Sequence, residues 1–598
     1  MRFRFWAAAL AACAALSCTQ GKGIAIVVDP QSEKEVSAEL ADYEDALRKA
    51  DGYTVYRITG QVDSPDSIRA TLQTLYRQGK IEGAVLIGDI PIPMIRDAQF
   101  FTSAFKMSQK RPWRESSVPS DRFYDDFDLS FEPLGRDTLL PYHYYSLTSG
   151  REVPLWSEIF TGRIHPTDTP SGSRYDKLRS YLKKAASAKR SPDRLDHVFT
   201  FTGSGSINES KQAHIDEQIA LREHFPWLAA ANDAFLYMDH KDYDPLKPRV
   251  KNELMRPGLD IALLHHHGDW DTQYFKVKAE DNLTLDDFGA FQPEAKLVLM
   301  DACYNGAFQM EDCIANEYIF QPGGTLVAWG GSVNVLQDKW PDEFLGLLAE
   351  GYNIGQVNQF SPYLEMHVIG DPTFHFVREK VRNSADALCL KIRKGSFPDG
   401  ELLSYLEDAP SGLVRHEAFN ALMRRGSRAS KLAAVKTALT DNSEQVQRAA
   451  INQIPALGDP ELIPVLAGVI ASNNASPRIR QNAGEALQFF PREEMLQAVR
   501  TALDAQVPHT ADTSYFTKVR SIAASFSGRW DEDIVSMLEG GWSEKKLLMY
   551  AGFFRLYLPP HYLVQVRSYA DTCSSDAVRE ALKEAIEWHR EAYSYPQN

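Results

Sequence analysis

Cysteine is scarce in this chain of 598 residues, which contains only six, and two of them lie among the first 18 residues. The other four are scattered through a long sequence, which is not the pattern of a small domain held together by disulfides. Positive charge is also in deficit, because 65 lysines and arginines stand against 80 acidic residues and the net charge is −15. A general nucleic-acid-binding protein needs a basic face, so we expect no nucleic acid as a partner.

Long apolar runs are missing beyond residue 23, so we expect no membrane-spanning helix in the mature protein. A glycine-rich phosphate loop is missing as well, because Gly323-Gly324 precedes a predicted strand and lacks the lysine that such loops carry. What remains is an ordinary globular composition, with 44% apolar and 24% charged residues. A chain of this length exceeds a single core and predicts about two to four domains.

The first 18 residues have the features of an export signal. Two arginines in Met1 to Arg4 precede a short apolar segment, Phe5 to Leu16, which is too short to span a bilayer as a stable helix. Ala15 to Cys18 resembles a bacterial lipobox and predicts lipidation of Cys18. Leu10 to Cys13 is a second candidate, and an ordinary signal peptide with incidental cysteines is the plain alternative. We therefore expect export to the periplasm, outer membrane or cell surface, with a lipid anchor as the only membrane contact.

Strand and helix signals alternate along residues 23–190 and again along residues 191–382. Strands that alternate with helices form a largely parallel sheet, so we predict an α/β region in two parts, one for each of these ranges. Residues 91–155 interrupt the pattern, because they are rich in proline, serine, aspartate and aromatic residues. We predict an elaborated loop region with little regular structure there.

From about residue 400 the predicted structure changes to helix after helix. Three similar segments, VRHEA, VQRAA and IRQNA, begin at Val414, Val446 and Ile479, which are 32 and 33 positions apart. A constant period of this size is typical of a helical solenoid, and it resembles that of short HEAT repeats. We assign residues 400–598 to an all-α HEAT-like domain, whose extended surface favours the binding of a protein partner over chemistry.

Two apolar runs of the second α/β part end in reactive side chains. Ile261 to Leu264 leads into three consecutive histidines and Gly268, and Leu297 to Met300 leads into Asp301-Ala302-Cys303. Functional residues of α/β sheets collect beyond the carboxyl ends of the strands, so two neighbouring strands would bring His267 and Cys303 together. An imidazole beside a thiol stabilises the reactive thiolate and later protonates a leaving amine. The sequence therefore predicts a cysteine peptidase.

Each of these residues alone has a plainer interpretation, a buried strand-end thiol for Cys303 and a satisfied core or surface residue for His267. A metal site built from the histidines and Asp269 is disfavoured, because consecutive residues of a strand face opposite sides. The combination favours a dyad, for which the N–H groups of Gly268 and Cys303 are candidate oxyanion donors. Gly306 would allow the chain to turn sharply after the nucleophile.

The pattern of His267-Gly268 with Cys303 placed 36 residues later resembles the signature of caspase-like cysteine peptidases. Gingipains are the most similar family within that group. The segment Asp301 to Phe308 looks like their nucleophile segment, and further landmarks are Phe160 to Ile164, Leu86 to Asp89 and Gly370 to Pro372. The resemblance covers residues 24–380 and implies a caspase/gingipain-like fold and a cysteine-type endopeptidase that requires no cofactor.

The resemblance also implies roles for individual residues. Cys303 would be the nucleophile and His267 the general base, with His266 as the nearest rival. Glu158 stands just before the strand with Gly-Arg, where a family acid orients the histidine. Asp168 lies in the loop where a pocket acid is expected, but this loop differs in length, so a preference for basic substrate residues is not transferred.

Two further expectations concern the surroundings of the site. Trp329 and Trp340 are candidate walls of a substrate pocket, although aromatics after a core strand are more often packing residues. Structural calcium is implied by the resemblance, and Asp125, Asp126 and Asp128 are the candidate carboxylates. A solvated acidic loop is the plainer interpretation of these aspartates.

These observations together predict an exported, lipid-anchored cysteine endopeptidase that acts on a protein or peptide substrate, with the helical repeats positioning a substrate or partner. The alternative is a non-catalytic surface or periplasmic binding lipoprotein, in which the repeats bind the partner on a vestigial peptidase scaffold. The intact His267, Gly268 and Cys303 favour the enzyme.

Overall fold

The structure is a computed structural model that describes residues 22–60, 62–150, 153–169, 172–204, 209–229, 231, 233–336, 343–378, 384–472, 475–487, 489–506, 530–558 and 562–593. Its strands, in chain order, are β1 (Gly23–Val28), β2 (Thr54–Ile58), β3 (Gly83–Ile87), β4 (Ile92–Arg96), β5 (Val118–Pro119), β6 (Phe131–Arg136), β7 (Tyr142–Leu147), β8 (Phe160–Ile164), β9 (Val198–Thr202), β10 (Phe235–Asp239), β11 (Ile261–His265), β12 (His267–Asp269), β13 (Thr272–Tyr274), β14 (Leu283–Thr284), β15 (Leu297–Asp301), β16 (Val327–Gly331) and β17 (Met366–Gly370).

The helices of the α/β region are α1 (Pro30–Glu35), α2 (Ser37–Lys49), α3 (Pro65–Arg77), α4 (Trp113–Ser116), α5 (Arg122–Asp125), α6 (Arg174–Arg190), α7 (Glu209–His224), α8 (Pro226–Ala229), α9 (Lys247–Leu254), α10 (Ile314–Phe320) and α11 (Ile354–Gln359). Those of the helical region are α12 (Ser384–Lys394), α13 (Asp399–Asp408), α14 (Gly412–Arg425), α15 (Arg428–Ala438), α16 (Glu444–Leu457), α17 (Ile463–Ala471), α18 (Pro477–Leu487), α19 (Arg492–Gln506), α20 (Trp530–Glu539), α21 (Glu544–Tyr557), α22 (Leu563–Thr572) and α23 (Asp576–Tyr593).

One ten-stranded sheet, in the order β10-β9-β11-β15-β16-β17-β8-β3-β1-β2, runs through the α/β region. The first five strands in this order are parallel to one another, and so are the last five. The two sets meet at β16 and β17, which are antiparallel. The carboxyl edge of one set is therefore the amino edge of the other. The α/β fold predicted from the alternation of strands and helices is confirmed.

The central strands are buried apolar runs, as their sequences predict. All five residues of β11 and all five of β15 are buried. The two strands pair in parallel, with Ile261 opposite Leu297 and His265 opposite Asp301. Helices pack against the strands, among them α7 and α9 on β9 and α10 on β16. Parallel strands that are covered by helices carry apolar side chains on both sides.

The prediction of little regular structure between residues 91 and 155 is wrong. This segment forms a second, four-stranded sheet in the order β5-β4-β7-β6. Its strands escape sequence analysis because β5 has only two residues and β6 is largely exposed and bulged, so neither shows an apolar alternation. The small sheet packs with α3 and α5 in a second apolar core that includes Ile68, Leu72 and Phe123.

The helical region begins at α12 and is joined to the sheet by a shared core. One apolar cluster extends from Ile24 of β1 to Leu503 of α19, and the last four helices, α20 to α23, enclose a separate cluster. Val414, Val446 and Ile479 are buried at equivalent positions of α14, α16 and α18, which explains the period in the sequence. Within the described ranges, none of the helices combines the length and apolarity needed to cross a membrane.

We predict that Arg163→Leu destabilises the protein by about 3–5 kcal/mol, because it leaves the Asp121 carboxylate buried without its partner. Arg163 is fully buried in β8, and its guanidinium contacts the two Asp121 oxygens at 2.9 and 2.7 Å. The measurement is the free energy of unfolding in urea. Arg48→Ala is the control, because the Arg48 side chain is half-exposed and Glu44 keeps Arg57 as a second partner, so the loss should be less than about 1 kcal/mol. Equal losses in the two variants would contradict the prediction.

Candidate active site

The histidine and cysteine segments meet at the carboxyl edge of β11 and β15. His267 is exposed and begins β12, two residues after the end of β11, while Cys303 is half-buried, two residues after the end of β15. Gly268 packs directly on the cysteine segment, since a methyl group in its place would lie 2.6 Å from the Cys303 carbonyl oxygen and 3.0 Å from the Ala302 Cβ. Only glycine permits this approach of the two segments.

The chain turns immediately after Cys303. Tyr304 has a φ of 59°, in the left-handed region that is strained for a residue with a side chain. Its N–H donates to the Val333 carbonyl at 3.1 Å, and the Cys303 Sγ lies 3.8 Å from the Val335 carbonyl oxygen. The expected turn at Gly306 is therefore made by Tyr304. Gly306 instead packs against Gly330, where a methyl group would come within 2.6 Å of the Gly330 backbone.

Asn305 ties the cysteine segment to the hairpin that carries His267. Its side chain is fully buried, and its Nδ2 donates to the carbonyl oxygens of Asp269 at 2.6 Å and Thr272 at 3.1 Å. Both acceptors belong to or flank the β12–β13 hairpin. The two halves of the candidate dyad are thus held together by hydrogen bonds that the sequence pattern did not reveal.

His265 forms a buried ion cluster directly beneath this edge. Its Nδ1 lies 2.9 Å from the Asp301 Oδ2, and its Nε2 contacts the carboxylate of Glu217 on α7. Burial opposes the charge on the imidazole, but attraction by Glu217 and the hydrogen bond with Asp301 outweigh it and raise the pKa of His265 to about 10. A protonated His265 therefore links the ends of β11 and β15 to α7, and it does not serve as a base.

His266 is excluded as the rival base by its hydrogen bonds. Its Nδ1 donates to the His267 carbonyl at 2.8 Å, which leaves its Nε2 to accept from the Gln273 amide at 3.1 Å. The Gln273 side chain is itself oriented by Tyr318, whose hydroxyl donates to its Oε1 at 2.9 Å. Burial lowers the pKa of His266 to about 4. The ring is neutral and both its nitrogens are engaged.

The structure does not bring Glu158 to the histidine. Glu158 lies at the same edge of the sheet, but β8 is four strands from β11, roughly 19 Å at the usual strand spacing. Its Oε2 accepts the N–H of Phe127, and burial raises its pKa to about 7, with Asp126 adding to the shift. A carboxyl in this position cannot contact His267 without a large displacement of the backbone.

Two of the expected pocket residues lie elsewhere, and the third, Trp340, is outside the described residues. Asp168 follows the carboxyl end of β8, which runs against β11 and β15, so it lies at the opposite edge of the sheet and accepts the N–H of Arg174 at 2.8 Å. Trp329 is in the middle of β16 and only 1% exposed, and its indole N–H donates to Asn358 at 2.9 Å. Neither residue lines a pocket at Cys303.

Two of the three aspartates proposed for calcium accept hydrogen bonds from internal donors, and the third, Asp128, is exposed. Asp125 accepts hydrogen bonds from the hydroxyls of Ser157 at 2.7 Å and Thr161 at 2.5 Å. Asp126 accepts the N–H groups of Trp156 at 2.7 Å and Leu129 at 3.1 Å. In the part of the chain that the structure describes, no group of three or more His, Cys, Asp and Glu side chains is arranged to hold a metal ion. The arrangement does not fit a calcium site.

The other described cysteines lie in different surroundings from Cys303. Cys313 and Cys389 are buried, and burial raises the pKa of both thiols. Cys573 is half-buried and lies in the helical region, in the connection between α22 and α23. None of these four cysteines forms a disulfide with another described residue. Cys18 lies outside the described residues.

A mostly parallel sheet with a histidine segment and a cysteine segment at one carboxyl edge is the arrangement expected of a caspase-like cysteine peptidase. Comparison with protein-family models agrees: the model of peptidase family C25 matches residues 20–377, more than half of the chain. The chain belongs to peptidase family C25, the gingipain family of cysteine peptidases. A HEAT-repeat model matches residues 432–511, which confirms the repeats. Neither the curated proteins nor the solved structures contain a match.

We predict that His265→Gln lowers the free energy of unfolding most at neutral pH and progressively less toward pH 10. The folded-state pKa of His265, about 10, exceeds the ordinary value of 6.5, so its stabilisation is complete below pH 6.5 and is lost as the pH rises to 10. Urea unfolding of both proteins at several pH values between 6.5 and 10 measures the difference. A difference that stays constant over this range would show that the imidazole is not charged in the folded state.

Proposed function

We propose that the protein is a cysteine endopeptidase in which Cys303 is the nucleophile and His267 the general base. The observation that carries this proposal is the packing of Gly268 on the Cys303 carbonyl, which joins the two segments at one sheet edge. The other two histidines are committed to structural hydrogen bonds, and His267 is the exposed member of the three. Membership of peptidase family C25 agrees with this assignment.

The chemistry follows from the two side chains. The His267 imidazole takes the thiol proton, and the Cys303 thiolate attacks the substrate carbonyl carbon. The N–H groups of Gly268 and Cys303 are the proposed donors to the resulting oxyanion. When the C–N bond breaks, the imidazolium returns its proton to the leaving amine, and an acyl-enzyme remains. Water, deprotonated by His267, then hydrolyses the thioester and restores the thiol.

We predict that a peptide electrophile selective for thiolates labels Cys303 in the wild-type protein, and that Cys303→Ala abolishes both labelling and peptide hydrolysis. His267→Ala should lower kcat/KM by at least about a thousandfold, because the thiolate loses its partner and the leaving amine its proton donor. Labelling is read by intact mass, and hydrolysis with a quenched fluorescent peptide library.

Two cysteine variants serve as controls for this experiment. Cys313→Ala removes a buried thiol whose pKa is raised by burial, and Cys573→Ala removes a half-buried thiol in the helical region. Both variants should be labelled and active like the wild type. Labelling that persists in Cys303→Ala would refute the nucleophile. A wild-type protein that neither reacts nor cleaves would favour the binding lipoprotein instead.

We also propose that the protein is exported and anchored by a lipid on Cys18, and that the helical repeats hold a protein substrate or partner. The support for the anchor is the basic start, short apolar segment and lipobox-like end of the first 18 residues. The support for the partner is the extended surface that stacked repeats present.

We predict that Cys18→Ala, expressed in a bacterial host, loses incorporation of an alkyne-tagged fatty acid and moves from the membrane fraction to the soluble periplasmic fraction. Cys13→Ala is the matched control and should keep both the label and the membrane association. The opposite result for the two variants would assign the lipid to Cys13, and a membrane-bound, unlabelled wild type would refute the anchor.

A further inference from the structure

A cavity of about 280 Å³ opens beside the cysteine segment and has no part in the dyad chemistry. It lies between that segment and the small sheet of residues 92–147. Its walls are apolar for the most part and include Phe105, Met107, Met310 and Val333. A concave apolar site with a few polar groups is the usual form of a small-ligand or side-chain pocket.

The cavity begins one residue from the proposed nucleophile. Tyr304, which follows Cys303, lines it, and so does Val333, whose carbonyl accepts the Tyr304 N–H. Val335, two residues further along the same segment, has its carbonyl oxygen 3.8 Å from the Cys303 Sγ. One residue of chain spans at most about 3.8 Å, so this part of the cavity wall adjoins the proposed nucleophile.

Two buried polar atoms in the wall lack hydrogen-bond partners among the described residues. The Ser117 side chain is only 3% exposed, and its hydroxyl has no acceptor or donor within reach in that part of the chain. The Gln309 Oε1 is in the same situation, while the Nε2 of this amide donates to the Ser332 carbonyl at 3.1 Å. This bond fixes the amide orientation, so the Oε1 is available only as an acceptor. Buried polar atoms of this kind are normally satisfied, and here a ligand would satisfy them.

The rim of the cavity disfavours a positively charged occupant. Arg111 and Arg114 of the α4 segment stand at the rim, and Glu115 offsets one of them by its 3.1 Å contact with Arg111. The excess positive charge repels lysine and arginine side chains. The same charge attracts a carboxylate, but an ionised carboxylate has no proton to donate to the Gln309 Oε1 and leaves that buried atom unsatisfied.

We propose that this cavity binds an uncharged, amide-bearing side chain of the substrate, such as glutamine, at a position that flanks the cleaved bond. The aliphatic stem contacts the apolar walls, the amide N–H donates to the Gln309 Oε1, and the amide oxygen accepts from the Ser117 hydroxyl. The inference rests on the proposed peptidase function and supplies its specificity.

The test compares four quenched fluorescent peptides that differ at one residue flanking the cleaved bond, with glutamine, methionine, glutamate or lysine there, on the full-length protein. Glutamine and methionine have similar length, and glutamine and glutamate differ only in the end group. We expect kcat/KM for the glutamine peptide to exceed that for methionine by roughly ten- to a hundredfold. Both charged peptides should be cleaved more slowly than the glutamine peptide, and the lysine peptide most slowly of the four. The four peptides are made with the variable residue on the amino side of the cleaved bond and again with it on the carboxyl side. We expect the preference for glutamine on only one of the two sides.

Ser117→Ala should reduce the ratio of glutamine to methionine rates by at least about tenfold, because it removes one of the two polar contacts. Ser116→Ala is the matched control, since the Ser116 hydroxyl donates to the Arg111 and Pro112 carbonyls at 3.2 and 3.1 Å and leaves the ratio unchanged. Equal rates for glutamine and methionine on both sides, or an unchanged ratio in Ser117→Ala, would overturn the pocket while leaving the peptidase intact. If no peptide is cleaved and Cys303 is not labelled, the peptidase proposal fails and the pocket fails with it.

Discussion

The parallel pairing of β11 with β15, linked at its carboxyl end by a buried charged histidine, is the constraint on which the site depends. His265 lies opposite Asp301 in the ladder and contacts both Asp301 and Glu217. A buried charge is tolerated only when its partners compensate for the lost hydration. The three side chains therefore stabilise the fold only as a set. Because this cluster holds the two strand ends together, it also sets the distance between His267 and Cys303, which follow them.

Helix α7 connects the same cluster to the repeats. Glu217 of this helix contacts His265, while its neighbour Asp216 forms an ion pair with Arg448 of α16. Glu223, near the end of α7, accepts the N–H groups at the start of α14, at 3.0 Å from both Gly412 and Leu413. Consecutive helical residues point about 100° apart, which is how one helix reaches both the sheet and the solenoid. The repeats are thus built onto the element that supports the histidine segment.

The parts of the fold that the sequence predicted are those with a strong local signal. The buried strands β11 and β15 and the helix period of α14, α16 and α18 follow from apolar spacing alone. The small sheet was missed because its short, irregular strands carry no such spacing. The sequence itself argues against placing both Glu158 and Asp168 at one site. A five-residue strand, Phe160–Ile164, separates them, and its length of roughly 17 Å places its two ends at opposite edges of the sheet.

The sequence by itself determined the class of fold, the repeats and the two segments that carry the reactive side chains, because local apolar periodicity and strand-end motifs encode them. Only the tertiary structure decided which of three adjacent histidines stands exposed, where the chain turns after Cys303, and which carboxyls lie near the edge. These depend on strand direction and on contacts such as Asn305 with Asp269 and Gly268 with Ala302, which join residues more than thirty positions apart. Contacts over such distances leave no period in the sequence, so they are fixed by packing alone.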